Sequence, residues 1–187
     1  MTQSLDIVAL VGSLRRESFT GRLTRGLIAV GPSSMKVEIV PLGGLSMYNQ
    51  DDEANPPQPW REFRERVRRC DGVLFVTPEY NRGLPAVLKN AIDVGSRPYG
   101  KSCWDGKPAA IVSNSPGVLG GFGANHSLRQ SLVFLNMPTL QLEAYIGGSD
   151  KLFDAEGNFT VPATKDFCAK IMATFEGWVV RLKKGAA

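Results

Sequence analysis

The chain has 187 residues, 43% hydrophobic and 21% charged, with 22 basic against 18 acidic side chains and a formal net charge of +4. That size suits one domain with a substantial core, and residues 1–187 are taken as that single domain. The positive charge is too dispersed for a nucleic-acid stripe, and no stretch approaches the roughly 18 apolar residues of a membrane span.

The opening MTQSLDIV lacks the basic region of an export signal, so the expectation is a cytoplasmic protein with no nucleic-acid or membrane partner. Cys70, Cys103 and Cys168 are far apart, form no C-x-x-C pair and read as plain thiols in a reducing compartment; no metal site is expected.

In chain order, the apolar run Ile7 to Val11 ends at Gly12 and reads as a buried strand. Phe19, Leu23, Leu27 and Val30 then recur at helical spacing, so Ser13 to Ser18 form a strand-to-helix turn. That turn carries Ser13, Arg15 and Ser18, with Thr20 just beyond, in front of a helix end with free N–H groups. Neither G-x-G-x-x-G nor a nucleoside-triphosphate loop is present, and side-chain hydroxyls with an arginine suit the oxygens of a terminal monophosphate. The same serines are also ordinary helix caps, and the turn alone does not choose between the two readings.

MKVEIVPL alternates as a second strand, and GGLSMYNQDDEANPPQP reads as a long loop. WREFRERVRRC places Trp60, Phe63, Val67 and Cys70 on one helical face, with Glu62 and Glu65 four residues before Arg66 and Arg69 to form surface ion pairs. GVLFVT is a third strand, ending at Pro78, and TPEYNRGLP leads into a helix with Pro85 at its first position. In GSRPYGKSCW, Tyr99 and Trp104 fall in a polar loop, where aromatic rings serve a subunit contact or pack locally, and the loop alone does not choose between the two.

KPAAIVSNS is a fourth strand, followed by the turn PGVLGGFG and a helix through Leu128, Leu132 and Leu135. MPTLQLEAYI is a fifth strand, Asp154 to Gly157 a plain turn, and Phe167, Ile171, Phe175, Trp178 and Leu182 stripe a final helix. Five strands alternating with five helices predict an α/β, flavodoxin-like three-layer sandwich with a five-stranded parallel sheet in order 2-1-3-4-5. Its ligand crevice lies at the carboxyl ends of strands one and three, where the hydroxyl-rich turn meets TPEYNRGLP.

GSLRRESFTGRL, TPEYNRGLPAVLKNAIDVGSRP and SPGVLGG, each after a predicted strand, resemble the NADPH-dependent FMN reductase family, particularly its chromate, quinone and ferric reductases. The resemblance runs from residue 7 to about residue 148. It implies noncovalent FMN, its phosphate held by Ser13, Arg15, Ser18, Thr20 and the N–H of Phe19. Pro78, Glu79, Tyr80, Asn81 and Gly83 would line the ring, and Ser115, Pro116 and Gly117 would close its far edge. Many members carry Asn at the position of Thr20.

The activity so implied is NADH or NADPH oxidation coupled to quinones, chromate, ferric complexes or azo dyes by a ping-pong route, with no catalytic acid, base or nucleophile. Arg82 and Tyr48 would border the open face, His126 would be a surface or subunit-contact residue, and the assembly would be a homodimer or homotetramer, with the third helix and the Arg97 to Trp104 loop near the two-fold interface. The alternative is a flavodoxin-type electron carrier without NAD(P)H activity, which the net charge of +4 disfavours because such carriers are acidic.

Overall fold

In the computed structural model, which describes residues 4–185, strands and helices alternate along the chain. They are β1 (Leu5–Val11), α1 (Phe19–Val30), β2 (Met35–Ile39), α2 (Gln58–Arg69), β3 (Gly72–Pro78), α3 (Ala86–Gly95), β4 (Ala109–Asn114), α4 (Phe122–Phe134), β5 (Ala144–Ile146) and α5 (Pro162–Gly185). A short 3-10 turn at Gln50–Ala54 interrupts the long loop before α2. All neighbouring strands pair in parallel, in the order β2-β1-β3-β4-β5.

Side chains alternate across the sheet, and each central strand therefore feeds two cores. Val8 and Leu10 of β1, Val73 and Phe75 of β3, and Ile111 of β4 face α2, α3 and α4, where Trp60, Phe63, Leu88 and Leu128 cover them. Ile7, Ala9, Leu74, Val76 and Val112 face the other way, under Leu23 and Leu27 of α1 and Ile171 and Phe175 of α5. Burying a side chain of this kind stabilises by roughly 1.5–3 kcal/mol, which is why β1, β3 and β4 read as nearly unbroken apolar runs.

The expected topology is the observed one. Among the described residues, no helix is long and apolar enough to cross a membrane. The three cysteines are free and buried; burial pushes Cys103 and Cys168 up to about 12 and raises Cys70, so none is a thiolate near neutrality.

Several local expectations are corrected. The fifth strand shrinks to Ala144–Ile146, with only a single further bridge from Thr139 to Ala109, because the intervening chain bends away from the sheet. Pro85 caps α3 from outside rather than opening it. Arg66 does not pair with Glu62; its guanidinium reaches across to Asp6 at 2.7 Å and Glu38 at 2.6 Å, tying α2 to β1 and β2. Arg64, unlike Arg66, is buried, donating from Nε to the Val94 carbonyl at 2.8 Å and lying over the Trp60 ring.

Trp104 is the largest departure. It is fully buried, packed against Phe63 and Phe75, with its Nε1 donating to the Ile92 carbonyl at 3.0 Å. The indole lies flush on α3 at Gly95, where an added Cβ would stand 2.5 Å from it. Tyr99 remains 91% exposed, so of the two aromatic residues assigned to a surface loop only Tyr99 is on the surface.

Candidate active site

At the carboxyl end of the sheet a cleft of about 140 Å³ is lined by Ser13, Arg15, Ser18, Phe19, Thr20, Pro78, Glu79, Tyr80, Asn114, Ser115, Pro116 and Ser149. Larger surface depressions exist elsewhere, but this one stands at the switch point between β1 and β3, where an open parallel sheet presents its loop ends.

The β1–α1 turn forms the first wall. Ser18 caps α1, its Oγ accepting from the Gly21 N–H at 3.1 Å, so the cap reading of this serine is realised. The N–H groups of Phe19 and Thr20 precede any acceptor within the helix, and no acid occupies the first turn. Arg15 lies over the Phe19 ring at 5.6 Å and meets only the Glu17 carbonyl; it pairs with no carboxylate among the described residues. Glu17 is drawn instead to Arg22 at 2.6 Å, whose hydrogen bond lowers its pKa. The turn therefore offers unopposed positive charge and free donors, the chemistry an anionic phosphate needs.

The β3–α3 loop forms the second wall, and its shape is set by a tight turn. Tyr80 and Gly83 exchange both backbone hydrogen bonds, at 3.1 and 2.9 Å, while Asn81 and Arg82 between them have φ of +50° and +63°. Two successive positive φ angles are the mark of a type I′ turn, which Asn tolerates and Arg adopts at a cost. The Glu79 side chain locks the turn in place through both of its oxygens. One oxygen accepts from Arg82 at 2.9 Å and the other from the Ala124 N–H at 3.1 Å.

Gly121, the N-cap of α4, has no side chain to cap its own helix, and Glu79 supplies the cap from a different loop. Gly123 permits this approach: a Cβ there would lie 2.8 Å from the Arg82 carbonyl and 2.9 Å from the Glu79 carboxylate.

The β4–α4 loop forms the third wall. Its Ser115 N–H donates to the Ile146 carbonyl, and the Ser149 N–H returns the bond to the Ser115 carbonyl, both at 3.1 Å. Gly120, at φ +57°, lets the loop press on β5, since a Cβ would stand 2.7 Å from the Ile146 nitrogen. This contact carries the segment after β5 into the cleft and brings Ser149 with it.

Most of the residues expected at the site thus converge. Asn81, Gly83 and Gly117 do not line the cleft: the first two shape the type I′ turn, and the Gly117 carbonyl accepts from Ser115 Oγ at 3.0 Å. Tyr48 is also elsewhere, stacked on Trp60 with its hydroxyl donating to Glu53 at 2.6 Å. Arg82 is exposed and paired with Glu79. His126 lies on the surface of α4, with Nε2 2.9 Å from the Tyr145 hydroxyl, outside the cleft. Asn114 and Ser149 were missed. Asn114 ends a strand read only as core, and Ser149 follows a strand whose loop received no functional weight.

A doubly wound sheet whose crevice joins an anion-binding turn to a rigid backbone platform defines a flavodoxin-like, mononucleotide-binding protein. The model of the NADPH-dependent FMN reductase family matches residues 5–151, and the chain belongs to that family.

A quinone reductase of Pseudomonas putida is 54% identical over 181 residues, covering 96% of this chain and 97% of the relative. A 2-hydroxy-1,4-benzoquinone reductase of a Burkholderia species is 40% identical, covering 94% and 97%. The solved structure of FerB, a flavoenzyme NAD(P)H:acceptor oxidoreductase of Paracoccus denitrificans, superposes with a TM-score of 0.90 at 34% identity, covering 95% and 98%.

Proposed function

We propose that this protein is an FMN-dependent NAD(P)H:quinone oxidoreductase, and that the cleft at the β1–β3 switch point is its flavin site. The observation that carries the reading is the meeting of a donor-rich, acid-free helix terminus and a fixed loop platform in one crevice of a family member. Quinone is named as acceptor on the strength of the 54% identical quinone reductase. The electron-carrier alternative is not favoured, since the related proteins are named as reductases.

Ser13, Arg15, Ser18, Thr20 and the Phe19 N–H take the phosphate, with Arg15 the one free cation among them. Pro78, Glu79 and Tyr80 wall the ring, Asn81 and Gly83 set the turn that presents them, and Ser115 and Pro116 border the far edge, with the Gly117 carbonyl accepting from Ser115 Oγ behind them. Bound FMN supplies the two-electron chemistry that no side chain here provides. The protein binds and orients it, and Glu79 acts as a positioning residue by fixing the platform to α4. One cleft must serve nicotinamide and acceptor in turn, and the reading extends the acceptors to chromate, ferric complexes and azo dyes.

The same reading has the protein work in the cytoplasm as a homodimer or larger homo-oligomer. Three free, buried thiols suit a reducing compartment. Phe134 is 87% exposed beside Tyr99, along two adjoining grooves that also take in Arg97 and Leu135 at the ends of α3 and α4. A patch of that kind marks a protein contact. With Trp104 in the core, Tyr99 and Phe134 are the residues that face a partner.

The test is an absorption spectrum of the purified protein, anaerobic bleaching by NADH or NADPH, and recovery on adding benzoquinone. Bound flavin that neither nucleotide reduces would restore the electron carrier, and an apoprotein that takes up no FMN would end the reading. Light scattering across a dilution series, for the parent and Phe134→Asp, tests the assembly; a fully active parent monomer refutes it.

A further inference from the structure

Two side chains in the cleft have no protein partner although they are almost wholly buried. Asn114 is 1% exposed and Ser149 3%. Asn114 Oδ1 and Ser149 Oγ are shielded from solvent, and no protein group bonds to either. Both line the cleft. Burying a polar atom unpaired is unfavourable, and native structures keep such atoms chiefly where a ligand or another partner satisfies them.

The folding around them does not remove the deficit. Asn114 is the last residue of β4, in register with Pro78 of the second wall. Ser149 is held by its backbone bond to Ser115, so its hydroxyl is delivered to the cleft by two loops at once. Neither placement follows from a structural hydrogen bond of the side chain itself.

The chemistry of the two atoms selects the part of the ligand they meet. An amide carbonyl oxygen only accepts, so Asn114 Oδ1 needs a donor. A phosphate at neutral pH presents acceptors, and a flavin ring presents a single N–H, whereas each hydroxyl of a polyol both donates and accepts. A serine hydroxyl and an amide carbonyl lining one cleft therefore match a sugar-alcohol chain better than either end of the molecule.

We propose that Asn114 and Ser149 hold the ribityl chain of the flavin, Asn114 Oδ1 accepting from one chain hydroxyl and Ser149 exchanging a hydrogen bond with another. This rests on the flavin reading of the cleft given above.

The experiment measures binding of FMN, riboflavin and lumiflavin, which is the ring without the chain, to apoprotein by fluorescence titration. Ser149→Ala removes one atom, and Asn114→Leu keeps the shape of the side chain. Each is expected to weaken FMN and riboflavin about tenfold and to leave lumiflavin unchanged. Each should also leave the melting temperature of the apoprotein equal or higher, because the lost group had no partner to lose.

Equal weakening of lumiflavin would move the contact to the ring and overturn the assignment. Unchanged affinity for all three flavins, or a lower apoprotein melting temperature with unchanged FMN affinity, would overturn it as well. If the parent apoprotein binds no FMN, the flavin reading itself falls and takes this assignment with it.

Discussion

Glu79→Ala probes the joint that holds the platform. The Glu79 side chain is 11% exposed and bridges two loops, capping α4 at the Ala124 N–H and pairing with Arg82. Loss of a charge-assisted cap costs about 1–2 kcal/mol, and loss of a carboxylate from a helix amino terminus adds about 0.3–1 kcal/mol. The Arg82 guanidinium is 76% exposed, so that ion pair contributes close to nothing in water.

The total is about 2 kcal/mol, which for a domain of this size lowers the melting temperature by roughly 4–8 °C. Glu79→Gln keeps an acceptor of the same shape and loses only charge, and about half the effect is expected. Thermal unfolding of the apoprotein followed by circular dichroism reads both, and FMN titration should show the Ala variant weakened as the Tyr80–Gly83 turn loses its anchor. A Glu79→Ala apoprotein melting within about 1 °C of the parent would refute the remote cap.

Arg15→Ala should weaken FMN about ten- to a hundredfold and leave riboflavin nearly unchanged, the scale of one charge-assisted hydrogen bond to phosphate; equal losses would remove Arg15 from the phosphate position. Initial rates with NADH varied at fixed quinone concentrations should give parallel double-reciprocal lines, and intersecting lines with a ternary complex would defeat the single cleft.

At Asp71, burial raises the carboxyl pKa, but Lys183 at 2.5 Å and the Asp6 N–H at 2.8 Å outweigh it and hold the group below its ordinary value. Its contribution is therefore complete above the unfolded pKa of about 3.9 and fades as pH falls through the lower folded value. Asp71→Asn should cost roughly 1 kcal/mol in urea melts at neutral pH. That gap should close in acid; one that persists undiminished below about pH 3 contradicts the assignment.

The apolar runs and helical stripes determined the alternation of strands and helices, because burial on one or both faces is written in the spacing of neighbouring residues, and five such units suit the doubly wound order 2-1-3-4-5. The phosphate-type turn was equally local: Ser18, its helix and the unopposed Arg15 lie within a few positions of one another. What the chain could not disclose by itself were partners that docking alone brings together. Glu79 caps a helix whose Ala124 lies 45 positions away, and Arg66 leaves its own helix for Asp6, 60 positions away. The polar loop around Trp104 left open whether the ring packs locally or meets a partner until Gly95 offered it a flat seat, and Asn114 and Ser149 became site residues only when backbone contacts at Gly120 drew the loop after β5 into the cleft. Periodicity records which side of an element is buried, but not which side chain of a distant element will meet it there, since that depends on how the layers pack.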